Sequence, residues 1–381
     1  MSYVILKEGK EKSILNKHPW IFSGAIQSRP SHAPGDIFPV YSFQEKLLGH
    51  AYFHPENSIA GRMINFDKTD PLVSLAQLMK QAILMRDLLV LESARRLINA
   101  ESDELPGLIV DQYEDTLVIS ISTWGMERLK PHIIKNLKEL CHPKAIYEKS
   151  VSAARRQEGL LDTKGLLYGE AIKELWIKEN GLSFLVRPLE GQKTGFFIDQ
   201  REMRKEVCHL SQGARVLNCF AYTGGFSLSA LKGGAISVTS VEISEEACHL
   251  MKRHAFDEGK HTIQNSDVFT FLEEDPLDFD LVILDPPAFV KKRQDIAQAS
   301  SGYRELHRHV FQKMPAQSIL VTSSCSAYMD QDLFQQIIFQ AAAETGRHVR
   351  ILRRHMQAFD HPVSLYHPEG DYLKSLILFL E

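Results

Sequence analysis

The sequence predicts an α/β chain of three parts: a small β domain, an α+β domain and a doubly wound parallel sheet. Three observations predict it. From Arg215 onward, strand-like runs RVLNCF, SVTSVEI, DLVILD and SILVTSSC alternate with helical stretches, the pattern of parallel strands joined by crossover helices. Before that, the first seventy residues alternate short apolar stretches with turn signals at His18-Pro19, Arg29-Pro30, Ala33-Pro34-Gly35-Asp36 and His54-Pro55, which suggests a small barrel. Between the two lies a run from Leu72 to Asn99 with apolar residues at helical spacing and no internal proline or glycine, read as one long helix.

Each part has its own internal evidence. The stretch Phe66 to Pro71 reads as a linker into the helix. After Leu105-Pro106-Gly107 come two strand-like runs, LIVDQY and TLVISIS, a helix around Met126 to Leu140 and a strand near Ala145 to Glu148. The segment 176–198 reads as two extended arms around a turn, a hairpin leading into the last part. The tail YLKSLILFLE supplies a final strand. The expected domains are therefore residues 1–71, 72–186 and 187–381.

Composition narrows the class. The 381 residues include 44% apolar and 24% charged side chains, near the averages for globular proteins, which excludes a disordered or collagen-like chain. No apolar run approaches the roughly 18 residues that span a bilayer, and no secretory signal is read at the start, so no membrane partner and a cytoplasmic location are expected. The five cysteines are scattered without CxxC spacing, so neither disulfides nor a metal site is expected. The net charge of -4 leaves nucleic acid open, because phosphate affinity depends on local basic patches.

The chemistry-bearing residues cluster at strand ends of the last part. Strand RVLNCF runs into Ala221-Tyr222-Thr223-Gly224-Gly225-Phe226 and then a helix, a turn where the backbone can approach a ligand closely. The next strand ends in Glu242, placed to accept hydrogen bonds from both ribose hydroxyls of an adenosine. Asp267, after a third weak strand, can accept the adenine amino group. The turn is not GxGxxG, so an adenosyl ligand without phosphates, S-adenosylmethionine, fits better than a dinucleotide. The fourth strand ends in Asp285-Pro286-Pro287-Ala288-Phe289, a rigid loop that can present polar groups to the edge of a flipped base while Phe289 stacks on its face.

Strand SILVTSSC brings Cys325 to the same edge of the sheet. A thiolate attacking carbon 6 of a pyrimidine makes carbon 5 able to take a methyl group. Cys208, Cys219 and Cys248 are read as structural. Asp285, or a water it orients, is the candidate base for the carbon-5 proton, or it holds the cytosine edge; the sequence leaves both open.

Together these motifs resemble a known family, the bacterial PUA-domain class I rRNA methyltransferases that form 5-methylcytosine. The resemblance covers essentially the whole chain. It is carried by HPWIFSGA from His18, by LPGL with Asp111 and Tyr113, by GQKTGFF with Ile198-Asp199-Gln200-Arg201, and by NCFAYTGGFS, DPPAF and SSCS in that order. It implies a PUA barrel, a central α+β domain and a Rossmann-like methyltransferase domain, with Cys325 as nucleophile. Gln200 and the turn from Tyr222 to Phe226 are then expected at the cofactor's methionine end, with Asn218, Phe220 and Ile243 counted in the same site. Many relatives have Lys where this chain has Ala288. The resemblance also implies large-subunit ribosomal RNA as partner, with Lys12, Lys17, His18 and Arg62 as phosphate contacts; a homodimer is a further expectation. His361 and Lys374 fall in the family-like ending but are assigned no role. Two rival readings stay open: methylation of an exocyclic base nitrogen, and a non-catalytic RNA-binding or ribosome-assembly protein.

Overall fold

The computed structural model describes residues 3–254, 259–273, 277–289, 293–326 and 328–381. Its internal contacts divide the chain into two units. One comprises Met1–Lys178, Val186–Ile198 and Phe359–Gly370; the other comprises Glu179–Leu185, Asp199–Ala358 and Asp371–Glu381. Among the described residues, no helix is long and apolar enough to cross a membrane.

The first unit opens with β1 (Val4–Leu6), α1 (Lys12–Leu15), β2 (Trp20–Phe22), β3 (Ile26–Ser28), β4 (Ile37–Tyr41), β5 (Leu47–Phe53) and β6 (Ile59–Asn65). They form a six-stranded sheet in the order β2-β6-β5-β4-β1-β3 around Val4, Leu6, Ile14, Ile21, Val40, Ala51, Phe53 and Met63. The proline-marked turns of the sequence fall between these strands, where no ladder N–H is needed. Gly49 has φ +141°, and a Cβ there would lie 2.2 Å from the Asn65 carbonyl oxygen, so only glycine lets β5 approach this closely.

The second layer of this unit begins as the sequence predicts and then departs from it. In α2 (Pro71–Leu89), Asp70 caps the backbone amides of Leu72 and Val73, and Pro71 sits where its missing N–H costs nothing. The helix ends at Leu89 rather than continuing to Asn99. Val90 is extended, and Ala94–Asn99 forms β7, paired antiparallel with β8 (Leu108–Tyr113). The adjacent apolar pair Leu97 and Ile98 suits either period; the ladder to β8, and an ion pair between them, decided for the strand. Then follow β9 (Thr116–Ile121), α3 (Trp124–Cys141), β10 (Ala145–Ser150), α4 (Ala153–Gln157) and β11 (Thr163–Gly169). The sheet order is β11-β10-β9-β8-β7. Tyr52 and Ile64 of the first sheet share one core with Leu75, Met79, Val110, Ile119 and Met126, and the Tyr52 hydroxyl donates to the Pro106 carbonyl at 2.7 Å.

A buried polar network explains two sequence motifs that carry no chemistry of their own. Arg96 holds Asp111 in a two-pronged pair at 2.8 and 3.0 Å, and the Thr194 hydroxyl donates to the same carboxylate at 2.5 Å. Tyr113 shares a hydrogen bond with Thr194 at 2.9 Å and accepts the Phe196 amide at 3.2 Å. The Lys149 ammonium donates to the carbonyls of Pro188 and Gly191. The LPGLIVDQY and GQKTGFF segments are thus the two sides of one anchor. Arg86, fully buried, likewise pairs with Asp103 at 2.7 and 2.8 Å and donates to the Asp360 carbonyl at 3.0 Å, which ties down the segment holding His361.

The expected hairpin is shorter than the 176–198 segment: β12 (Leu175–Glu179) and β13 (Leu182–Val186) form it, and residues 187–197 run on without a strand. The second unit then follows the predicted alternation: α5 (Arg201–Leu210), β14 (Arg215–Cys219), α6 (Gly225–Lys232), β15 (Ser237–Glu242), α7 (Glu245–Lys252), β16 (His261–Asn265), α8 (Val268–Glu273), β17 (Leu281–Leu284), α9 (Ile296–Lys313), β18 (Ser318–Ser324) and α10 (Gln331–Thr345). It closes with β19 (Val349–His355), which the sequence reading did not anticipate, and β20 (Lys374–Leu380). The strand order is β16-β15-β14-β17-β18-β20-β19, the first five parallel and β20 antiparallel between β18 and β19. The order reverses at β14, so the crevice for ligands lies past the carboxyl ends of β14, β15, β17 and β18.

Candidate cofactor and catalytic site

The glycine turn leaves β14 through two left-handed residues, Phe220 at φ 58° and Tyr222 at φ 48°, before Gly224 at φ 81° starts α6. Backbone strain of this kind in non-glycine residues persists only where the surroundings enforce it, commonly at ligand sites. Glu242 is the enforcing group: one carboxylate oxygen accepts the Tyr222 amide at 2.8 Å and the other accepts the Ser244 amide at 2.8 Å. A carboxylate has about four acceptor positions, so each oxygen keeps capacity for a ribose hydroxyl. Ile243, next in the chain, is an apolar residue left 68% exposed. Asp267 is exposed at the end of β16, and one of its oxygens accepts the Thr270 amide at 3.1 Å, capping α8.

Three buried polar atoms test whether a ligand belongs here. Among the described residues, Gln200 Oε1, Asn218 Oδ1 and Thr223 Oγ1 have no hydrogen-bond partner. A buried polar group left so costs roughly 1–3 kcal/mol, which is tolerated where a ligand will supply the partner. Two carbonyl-type acceptors and one hydroxyl suit the ammonium and carboxylate of an amino-acid moiety, as in the methionine end of S-adenosylmethionine. Asn218 is held by donating to Ser227 Oγ at 2.8 Å, and Phe226 is buried beneath the turn.

At the next strand ends, Asp285 follows β17 and Cys325 follows β18. These strands pair in parallel with Leu284 opposite Thr322, so the two residues leave the sheet on the same edge. Gln200 donates its side-chain amide to Asp285 Oδ1 at 3.0 Å, which links the catalytic aspartate candidate to the start of α5. Tyr303, on α9, reports the convergence. Its hydroxyl donates to Ser324 Oγ at 3.1 Å, and both Cys325 and Asp285 act on it electrostatically, adding to burial in pushing its phenol well above the ordinary value. Cys325 is half-buried, whereas Cys219 lies in the core with its thiol pushed far up by burial. Cys248 is buried in α7 and donates to the Glu242 carbonyl at 3.5 Å. Cys208 is half-buried within α5.

The DPPAF loop departs from its expected use in one respect. Pro286 is buried and Pro287 exposed, but the Phe289 ring packs on Tyr303, with centroids 4.7 Å apart, at the margin of the core. Part of the surface expected to stack on a base is thus already committed. Tyr303 itself carried no sequence signal beyond helical spacing.

The four barrel cations do not act alike. Lys12 is exposed; Lys17 is exposed and lies over the Phe66 ring at 4.7 Å. His18 is half-buried against Trp20, whose indole donates to Glu101 at 3.1 Å. Arg62 is a correction: its side chain is 12% exposed and pairs with the nearly buried Glu158 at 2.9 Å. Its charge is matched by Glu158, which leaves it less available to a phosphate than an exposed cation.

A PUA-like barrel sheet combined with a doubly wound sheet that carries a glycine turn and an acidic strand end points to a class of protein, the RNA-directed type of S-adenosylmethionine-dependent methyltransferase. Residues 4–66 match the PUA-like domain family, and residues 160–355 match the S-adenosylmethionine-dependent methyltransferase family. Proteins named ribosomal RNA large subunit methyltransferase I are similar over nearly their whole length. The one from Alteromonas mediterranea is 36% identical, with 98% of each chain covered, and the one from Aeromonas hydrophila is 39% identical, with 98% of each covered. Among solved structures, a SAM-dependent methyltransferase from Streptococcus mutans superposes with a TM-score of 0.84 at 25% identity, covering 99% of this chain and 100% of that one. A methyltransferase solved in complex with SAH gives 0.86 at 25% identity with the same coverage. The chain belongs to the PUA-domain, S-adenosylmethionine-dependent methyltransferase family typified by ribosomal RNA large subunit methyltransferase I. Its cofactor is S-adenosylmethionine. The expected homodimer finds no support in these comparisons.

Proposed function

We propose that the chain methylates carbon 5 of a cytosine in large-subunit ribosomal RNA, in the cytoplasm, through a covalent adduct on Cys325. The observation that carries this reading is a half-buried thiol and a carboxylate leaving adjacent parallel strands, next to the strand that feeds the glycine turn. In this reading Gln200, Asn218, Phe220 and the turn from Tyr222 to Phe226 hold the methionine end, Glu242 the ribose, and Ile243 and Asp267 the adenine. Lys12, Lys17 and His18 take phosphates. When bound, S-adenosylmethionine supplies an electrophilic sulfonium methyl group and departs as neutral S-adenosylhomocysteine.

The protein's own steps balance. The Cys325 thiolate forms a bond to carbon 6, and the former double-bond pair makes carbon 5 the nucleophile that accepts the methyl group. Asp285 then takes the carbon-5 proton, directly or through a water, the pair re-forms the double bond, and the carbon–sulfur bond breaks to return the thiolate. Pro286 and Pro287 stiffen the loop that meets the base edge.

The test uses ribosomal RNA from cells lacking the gene, with the methylated nucleotide located by mass spectrometry. Cys325→Ala should abolish turnover while adenosylmethionine binding persists. RNA carrying 5-fluorocytosine should trap a stable adduct on Cys325, because fluorine cannot leave as a cation. Full turnover by Cys325→Ala would move the methyl acceptor to an exocyclic nitrogen; failure to bind adenosylmethionine would leave only the non-catalytic reading.

A further inference from the structure

Lys374 stands directly across the sheet from the residue that precedes Cys325. In the antiparallel pairing of β18 with β20, Ser324 is opposite Lys374, and the Lys374 ammonium donates to the Ser326 carbonyl at 2.9 Å and to the Tyr372 carbonyl at 3.1 Å. One residue therefore holds the chain on both sides of the cysteine, Ser324 through the backbone ladder and Ser326 through its ammonium. Lys374 is 4% exposed, and among the described residues its ammonium is held by those two carbonyl oxygens. A buried ammonium held only by carbonyl oxygens is costly unless a nearby negative group offsets it.

Three acidic groups around it can offset that cost. Burial is the largest influence on Lys374 and lowers its pKa; Asp371 before β20, Asp330 at the start of α10, and Cys325 act in the opposite direction. Cys325 also shares its surroundings with Asp285 past β17 and with Tyr303 on α9. Asp371 and Asp330 act on Lys374 as Cys325 does, and Lys374 is the cation among these named groups. We propose that Lys374 is a positioning residue that pins the Ser324–Ser326 turn and stabilises the Cys325 thiolate. This rests on reading Cys325 as the nucleophile, and it assigns to β20 a part in generating that nucleophile.

Alkylation of Cys325 by iodoacetamide, followed across pH by peptide mass spectrometry in the full chain, measures the thiolate directly. Lys374→Met keeps the length of the side chain and removes its charge; the alkylation midpoint is expected to rise by about one pH unit, slowing alkylation at neutral pH about tenfold. Lys374→Arg should hold the midpoint near that of the unaltered protein. A Lys374→Met midpoint equal to wild type overturns the proposal. Should Lys374→Met not fold, the unaltered protein decides: a midpoint below the ordinary thiol value of about 8.5 supports the assignment, and one at or above it overturns it. The two readings fail separately. If Cys325→Ala methylates at full speed while Lys374→Met still shifts the midpoint, the nucleophile reading falls and the Lys374 assignment stands.

Discussion

The side-chain amide of Gln200 donates to Asp285 Oδ1 at 3.0 Å, joining the start of α5 to the end of β17. The bond orients one carboxylate oxygen. The other polar atom of that side chain, Oε1, is buried and has no partner among the described residues. Asp285→Asn keeps the shape and removes the basic oxygen. It should lower kcat by about 10²–10⁴-fold while adenosylmethionine affinity falls less than tenfold. Steady-state kinetics with calorimetry checks this, and an undiminished kcat would return Asp285 to a purely structural role.

Glu242 binds two backbone amides and still has acceptor capacity toward the crevice. Hydrogen bonds to charged groups contribute about 1.5–3 kcal/mol each, so Glu242→Gln should weaken adenosylmethionine roughly 10- to 150-fold. Isothermal titration reads this directly. An unchanged affinity would mean that the ribose lies elsewhere.

The Arg96–Asp111 pair is buried and shares Thr194 with the anchor before the catalytic sheet. Removing one partner of a buried pair strands the other charge, so Arg96→Met should cost about 3–5 kcal/mol. The double variant Arg96→Met with Asp111→Leu should recover part of that loss. Urea denaturation of the three proteins supplies the comparison; additive losses would show that the two charges are not coupled.

His307 is fully buried between the Tyr303 carbonyl at 2.7 Å and Thr322 Oγ1 at 2.9 Å, and burial lowers its pKa to about 4. The folded state therefore favours neutral imidazole. Its stabilisation is complete above the unfolded value near 6.5 and is lost as pH falls from there toward 4, because the unfolded chain binds the proton first. Between pH 6.5 and 4 the pH dependence should span roughly 3 kcal/mol, at 1.36 kcal/mol per pH unit. His307→Gln should flatten the urea midpoint between pH 6.5 and 4.5; an unaltered slope would place that sensitivity on other groups.

The sequence alone determined the alternation of strands and helices after Arg215, the glycine turn, Glu242, and the DPPAF and SSCS strand ends. These are local: a turn, a strand terminus and a loop are written in neighbouring residues, and parallel topology then sends Asp285 and Cys325 to one edge. Only tertiary structure decided where the long helical pattern stops, because Leu97 and Ile98 suit either period until β8 offers a ladder and Asp111 a partner for Arg96. It also decided that Arg62 is consumed by Glu158, that Phe289 lies on Tyr303, and that Lys374 faces Ser324. Each of these is a pairing between residues distant in the chain, and the partner of a charge or a ring is set by packing, which no short stretch of sequence contains.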